Sequence, residues 1–374
     1  MKKITTLALG LLLASAAFAQ KGNKAEVLPS FQSTLGKHFL IGVAVDTRLP
    51  AGQDPAAEAV VKEQFNQVVA ENCMKGEENH PEVNRFDFTD GDKLVDWAER
   101  NGKTVIGHCL VWHSQPPKWM FTDANGKTVS REVLIGRMYN HIMTVVTHYK
   151  GKIKGWDVVN EAFEDDGSYR KSPYYNIIGP EFIELAFQFA HEADPNVELY
   201  YNDYSTSKPG KREAICKLVR SLKSKGLRID AVGMQSHNGY NYPDYAEYEK
   251  SIEAFAAEGV KVMMTELDVN MLPNPEGFGG AEISQNFELQ AKYNPYTKGL
   301  DKKGQKLFNQ RYLDLFKIIE RHKDVISRVT FWGVNDGHTW LNDWPIKGRT
   351  NYPTLIDRNN QLKPVAKEIE KLFE

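Results

Sequence analysis

The chain has 374 residues, of which 41% are apolar, 26% charged and 11% aromatic. That balance excludes a collagenous, mainly disordered or multispanning membrane polymer and calls for a sizeable packed core. Lys and Arg total 47 against 49 Asp and Glu, a formal charge of -2, which gives no electrostatic reason to expect a nucleic-acid or anionic-membrane partner and points to a near-neutral ligand.

At the N-terminus, Lys2 and Lys3 precede an apolar run from Leu7 to Ala17, and Ala17-Phe18-Ala19 places small residues at the two positions a signal peptidase reads. The run is shorter than the roughly 20 residues a spanning helix needs, so residues 1–19 are expected to be an export signal cleaved near Ala19. The mature chain is expected to be secreted or periplasmic, with no membrane span. Residues 20–30 read as a loose lead-in, and 31–374 as one catalytic domain without linker, repeat or low-complexity run.

From Phe39 onward, short apolar segments alternate with longer amphipathic ones. The strand candidates are Phe39 to Val45, Gln67 to Met74, Thr104 to Val111, Gly155 to Asn160, Val197 to Asn202, Ala231 to Ser236, Lys261 to Leu267 and Arg328 to Val334. Near-continuous apolar stretches such as Val262-Met263-Met264 suit parallel strands buried on both faces, and eight strand-helix units close a (β/α)8 TIM barrel of the α/β class. An open doubly wound sheet is the runner-up, but no glycine-rich phosphate loop follows the first strand. The polar stretch from Pro273 to Gly304, after the seventh strand, reads as an insertion over the barrel mouth.

The three cysteines, at 73, 109 and 216, are too few for a disulfide framework. A Cys73–Cys109 bridge is open if their segments are neighbouring strands; separate buried thiols are the expectation. His108 and His113 lack the compact spacing of a zinc site, and no metal or other cofactor is implied.

Barrel active sites form where strands end, and two glutamates stand there: Glu161 after Trp156-Asp157-Val158-Val159-Asn160, and Glu266 after Val262-Met263-Met264-Thr265. Most acidic residues are surface charges, but a carboxylate directly after an apolar strand has no solvated helix face to occupy. The fourth and seventh strands lie across a barrel mouth from each other. Two facing carboxylates in different surroundings, one protonated as acid and one ionised as nucleophile, are the working parts of a glycosidase. Period two puts Glu266 and Asp268 on one side, and likewise Gln235 and His237, so His237 is expected to bridge Glu266 and Asp268 and favour the ionised nucleophile.

Seven motifs in strand order carry a resemblance: Glu71-Asn72-Cys73-Met74-Lys75, His108-Cys109-Leu110-Val111-Trp112-His113, Trp156 through Glu161, Tyr201-Asn202-Asp203-Tyr204, Gly233-Met234-Gln235-Ser236-His237, Thr265-Glu266-Leu267-Asp268, and Trp332-Gly333-Val334-Asn335-Asp336 with Trp340. From about Phe39 to Leu372 the sequence resembles glycoside hydrolase family 10, the endo-β-1,4-xylanases. The resemblance implies a retaining mechanism with Glu161 as acid/base and Glu266 as nucleophile, acting on xylan and xylo-oligosaccharides. It implies that Asn160 bonds the sugar 2-hydroxyl and that Glu71, Asn72, Lys75, His108, Trp112, Gln235, Trp332 and Trp340 line the non-reducing side. A monomer is expected.

The residue types agree with that reading. Sugars offer hydroxyl edges and C–H faces, which amide, carboxylate and ammonium groups and flat rings complement. Trp97 and Trp119 read as packing, and Tyr204 stands equally as a substrate contact or as support for the fifth strand. The chain departs from many family members at Gly76-Glu77-Glu78-Asn79-His80-Pro81, where a bulky aromatic often follows the Met-Lys pair, and the longer insertion prevents carrying over aglycone contacts. Rival readings are a two-glutamate barrel acting on cellulose or mannan, a secreted non-catalytic glycan binder, which would lack the two carboxylates, and a metal-dependent barrel hydrolase, which would need a His-x-His after an early strand.

Overall fold

The computed structural model describes residues 30–374; the expected export signal and residues 20–29 of the lead-in lie outside the described residues. The strands are β1 (Leu40–Val45), β2 (Gln67–Ala70), β3 (Thr104–Trp112), β4 (Gly155–Asn160), β5 (Glu198–Asp203), β6 (Ala231–Met234), β7 (His237–Gly239), β8 (Lys261–Asn270) and β9 (Ile326–Phe331). The helices are α1 (Pro55–Gln64), α2 (Gly76–Asn79), α3 (Thr89–Arg100), α4 (Arg131–His148), α5 (Pro173–Ile178), α6 (Phe182–Ala193), α7 (Pro209–Ser224), α8 (Tyr245–Ala257), α9 (Lys302–Arg321) and α10 (Pro364–Leu372).

All strand pairs are parallel, running β1 to β6 in order, then β6 to β8, β8 to β9, and β9 back to β1. The sheet therefore closes on itself as the eight-stranded barrel expected from the alternation. Local sequence sets the helix starts. Asp54, Ser130, Asp244 and Asp301 each accept a hydrogen bond from a backbone N–H in the first turn of α1, α4, α8 and α9, and Pro55, Pro209 and Pro364 begin α1, α7 and α10, where no N–H is needed. In α6, Ile183, Ala186, Phe187 and Ala190 form the buried stripe that faces the barrel.

Alternate strand residues fill the two sides of the barrel wall. Outward-facing Val43, Val68, Val105, Val232, Val262 and Val329 join the core under the helices, while Ala44, Val69, Ile106, Tyr200, Ala231, Met263 and Trp332 form a separate interior cluster. Small residues make room for large ones inside. A methyl group at Gly155 would sit 2.1 Å from the Tyr200 hydroxyl, too close for any carbon.

Several ends differ from expectation. The second strand stops at Ala70, because Glu71 to Lys75 turns, with Lys75 N–H donating to the Asn72 carbonyl at 2.8 Å. Cys73 thus lies in a turn, and Cys73, Cys109 and Cys216 are all free thiols. The sixth barrel strand is broken between β6 and β7 at Ser236, whose φ is +67°. The seventh strand runs on to Asn270 because β7 pairs with its end, His237 opposite Asp268. The eighth is Ile326–Phe331, starting and stopping earlier than expected. The insertion ends where Asp301 caps α9, and a 3-10 turn at Ala291–Tyr293 is its only helical element. Among the described residues no helix is long and apolar enough to cross a membrane.

Candidate active site

The site sits above irregularities in the barrel wall. Strict alternation along β4 would turn Val159 inward after Asp157, but the β4–β5 register shifts between Asp157 and Val159. Val158 and Val159 both join the outer core, and Asn160 and Glu161 are re-aimed at the mouth. A shift between Met264 and Leu267 in the β8–β9 pairing likewise lets Thr265 and Glu266 both reach Asn202: the Thr265 hydroxyl donates to Asn202 Oδ1 at 2.6 Å, and Asn202 Nδ2 donates to Glu266 Oε1 at 2.8 Å. Bulges of this kind redirect side chains beside functional sites. Glu161 has φ +60°, a left-handed conformation held by its N–H to the Asn202 carbonyl at 2.9 Å and by Ala162 N–H to the Tyr201 hydroxyl at 3.0 Å.

Glu161 is 4% exposed. Its Oε2 accepts from Trp112 Nε1 at 2.9 Å, and its Oε1 from Gln235 Nε2 at 2.8 Å and Asn160 Nδ2 at 3.2 Å. Burial raises its proton affinity above the ordinary carboxylate value; His113 and the Gln235 and Trp112 hydrogen bonds oppose that rise, and Asp203 adds to it. Its surroundings favour the protonated form more than water would.

Glu266 is as buried, at 5%, yet behaves oppositely. Burial would raise its pKa, but the hydrogen bond from His237, the nearby His108, the His237 charge and the Asn202 bond together bring it down to about 2. His237 Nε2 lies 3.1 Å from Glu266 Oε2, and Nδ1 lies 2.9 Å from Asp268 Oδ2, which is the expected bridge. Burial lowers the affinity of His237 for its second proton, but Asp268 first and Glu266 second overcome this and lift its pKa to about 10. Asp268 also accepts from Trp340 Nε1 at 2.8 Å.

One cavity of about 220 Å³ collects Glu161, Glu266, Asn160, His237, Glu71, Asn72, Lys75, His108, Trp112, Gln235, Trp332 and Trp340. Asp268, 1% exposed, stays behind His237 and lines instead a neighbouring cavity of about 550 Å³, with Tyr204, Asn238, Tyr242, Asn270 and Trp344. Lys75 is aimed inward by Asn72 Oδ1 and Gln115 Oε1, both at 2.9 Å, with its ammonium 5.0 Å from the Trp112 ring. His108 Nδ1 is 2.9 Å from Asp157 Oδ2, so the ring is held from beneath. Trp332 lies edge-on to His108, and Trp340 stacks on Trp344 at 4.3 Å. Trp97 is buried in α3, and Trp119 packs against the core with its indole N–H on the His80 carbonyl.

Sequence reasoning missed several participants. Gln115, Ala281 and Ile283 also line the smaller cavity, the last two from the insertion. Asn202 holds Asn160 Oδ1 at 2.9 Å as well as Glu266; its signal was its place two residues after inward-facing Tyr200. Arg170 reaches Glu161, and Glu282 reaches Arg170 and His113, from loops that no periodicity marks. Among the described residues, Glu249, Glu253 and His322 have metal-ligand proximity, but they lie on the helical layer, where Arg321 already engages both Glu249 oxygens.

A model of the family described as "Glycosyl hydrolase family 10" matches residues 30–372. Endo-1,4-beta-xylanase A of Xylanibacter ruminicola is 60% identical, covering 100% of both chains, and a beta-1,4-xylanase of Dictyoglomus thermophilum is 38% identical over 98% of each. Among solved structures, a GH10 endoxylanase from a sugarcane soil metagenome superposes with a TM-score of 0.88 at 44% identity, covering 92% of this chain and all of the other. A xylanase of Paenibacillus barcinonensis complexed with a conduramine derivative gives 0.83 at 38%, with 91% and 98% covered.

Proposed function

This chain belongs to glycosyl hydrolase family 10 and is a glycoside hydrolase, and from that premise we propose a secreted, retaining endo-β-1,4-xylanase that cleaves internal bonds of xylan by double displacement. Glu266 attacks the anomeric carbon while Glu161 protonates the departing oxygen. Glu161 then takes a proton from the water that releases the sugar from Glu266, and the anomeric configuration is kept. His237, itself held by Asp268, keeps Glu266 ionised, and Asn160, itself held by Asn202, offers its amide to the sugar 2-hydroxyl, where a bond that tightens in the transition state contributes to rate.

The observation that carries this reading is the meeting of two equally buried carboxyls on one cavity in different surroundings, Glu161 among the Trp112 and Gln235 donors and Glu266 bonded to His237 and Asn202; burial favours the protonated form of the first and His237 the ionised form of the second. Xylan is the substrate favoured by the xylanases among the chain's relatives. Lys75, Trp112, Trp332 and Trp340 supply the ammonium and ring surfaces that a pyranose needs on the non-reducing side.

Reducing-sugar release from xylan, β-glucan and mannan, with products sized, tests substrate and reaction together. Xylan is expected to yield oligosaccharides and the other two little. Glu266→Ala is expected to abolish turnover, and normal hydrolysis by that variant would remove the mechanism. N-terminal sequencing of the exported protein is expected to begin near Gln20, and size-exclusion chromatography to give a monomer.

A further inference from the structure

The segment between β8 and α9 contributes one carboxylate that reaches under the rim of the site. Glu282 Oε2 accepts from His113 Nε2 at 3.3 Å and from an Arg170 terminal nitrogen at 3.0 Å, and its Oε1 accepts from Ser284 N–H at 3.2 Å. The His113 hydrogen bond first, with Ser284 and Arg170 adding and partial burial opposing, holds this carboxyl at about 2, which favours its ionised form at neutral pH.

Both partners also touch Glu161. Arg170 Nε donates to the Glu161 main-chain oxygen at 2.9 Å, and its other terminal nitrogen donates to the Tyr204 hydroxyl at 2.6 Å. His113 Nδ1 lies 4.0 Å from Glu161 Oε2 and is buried with no hydrogen-bond partner of its own. A carboxylate bonded to one imidazole nitrogen makes that nitrogen a donor and fixes the ring plane, which decides where the other nitrogen points.

We propose that Glu282 is a positioning residue for the acid/base: by clamping His113 and Arg170 it fixes both the side-chain surroundings and the left-handed backbone of Glu161, an inference that rests on Glu161 being the acid. The geometry explains how a single residue controls both. Arg170 grips the Glu161 carbonyl at the point where the strand leaves its regular path, and His113 closes the side of the carboxyl opposite Gln235. Without Glu282, His113 loses the bond to its Nε2 and Arg170 keeps only the Tyr204 hydroxyl and the longer 3.6 Å contact with Glu164 outside its grip on Glu161, so the proton of Glu161 is aimed less firmly at a leaving oxygen.

The test compares two substrates in the first, glycosyl-enzyme-forming step, read as kcat/KM. A dinitrophenyl xylobioside expels a leaving group that needs no protonation; xylotetraose expels an alcohol that does. Positioned acids contribute about 100-fold or more, so misaiming one in Glu282→Ala is expected to cost about tenfold on xylotetraose and less than twofold on the dinitrophenyl substrate. Circular dichroism melts check folding, and the isosteric Glu282→Gln serves if the alanine variant does not fold. Equal losses on both substrates, or no loss on either, would overturn the proposal. Glu161→Ala run alongside separates the two ideas: if it fails to discriminate the substrates, the acid assignment is wrong, whereas discrimination by Glu161→Ala alone sinks only the role of Glu282.

Discussion

His237→Ala removes the group that separates two buried carboxylates. In the native protein His237 bonds Glu266 at 3.1 Å and Asp268 at 2.9 Å. Each is a charge-assisted bond of about 1.5–3 kcal/mol. One unit of pKa corresponds to about 1.4 kcal/mol, so losing the bond to Glu266 alone should raise its proton affinity by roughly one to two units from about 2. Asp268 adds to this, because two carboxylates left side by side away from water cannot both stay charged and the pair takes up a proton.

The acidic limb of kcat/KM against pH is therefore expected to move up by more than one unit. Stability should change its pH dependence as well. The folded pKa of His237, about 10, lies above the unfolded value of 6.5, so its contribution is fully present below pH 6.5 and is lost as pH rises through 10. The native melting temperature should fall across that window, and the fall attributable to this group should be absent in His237→Ala. Breaking a buried charge cluster by removing one partner costs about 3–5 kcal/mol, which urea unfolding at pH 6 would read. An unmoved acidic limb, with activity lowered equally at every pH, would refute the electrostatic argument and leave His237 as packing.

Three further outcomes can be checked. His80 and His141 face each other with Nδ1 atoms 3.2 Å apart, and burial lowers their pKa values to about 4 and about 3. Both fold as neutral rings, so their stabilising contribution is full above pH 6.5 and lost as pH falls toward 4; melting temperature should drop there, and less steeply in His141→Leu. Gly155→Ala would press a methyl onto the Tyr200 hydroxyl and should destabilise the barrel by about 1–3 kcal/mol in urea titrations. Trp340→Ala deletes both a ring on the cavity and the donor to Asp268; KM for xylo-oligosaccharides should rise about tenfold, about 1.4 kcal/mol, and an unchanged KM would place the ring outside the binding surface.

The order of eight strand-helix units, their parallel pairing and the two glutamates at the mouth were legible in the sequence, because a barrel wall buried on both faces forces largely apolar runs, against which a carboxylate at a strand end stands out. His237 between Glu266 and Asp268 was legible as well, although the sixth strand breaks at Ser236 between Gln235 and His237; pairing of His237 with Asp268 restores the expected side. What periodicity could not supply is where it fails. The register shifts in β4 and β8 turn Asn160 with Glu161, and Thr265 with Glu266, to the same side as consecutive residues, and a bulge is set by the pairing of neighbouring strands rather than by the residues it displaces. Asn202, Arg170, His113 and Glu282 were hidden likewise: their meeting around the carboxyls joins segments up to 169 positions apart, a proximity that only closure of the barrel and the fold-back of the β8–α9 segment create.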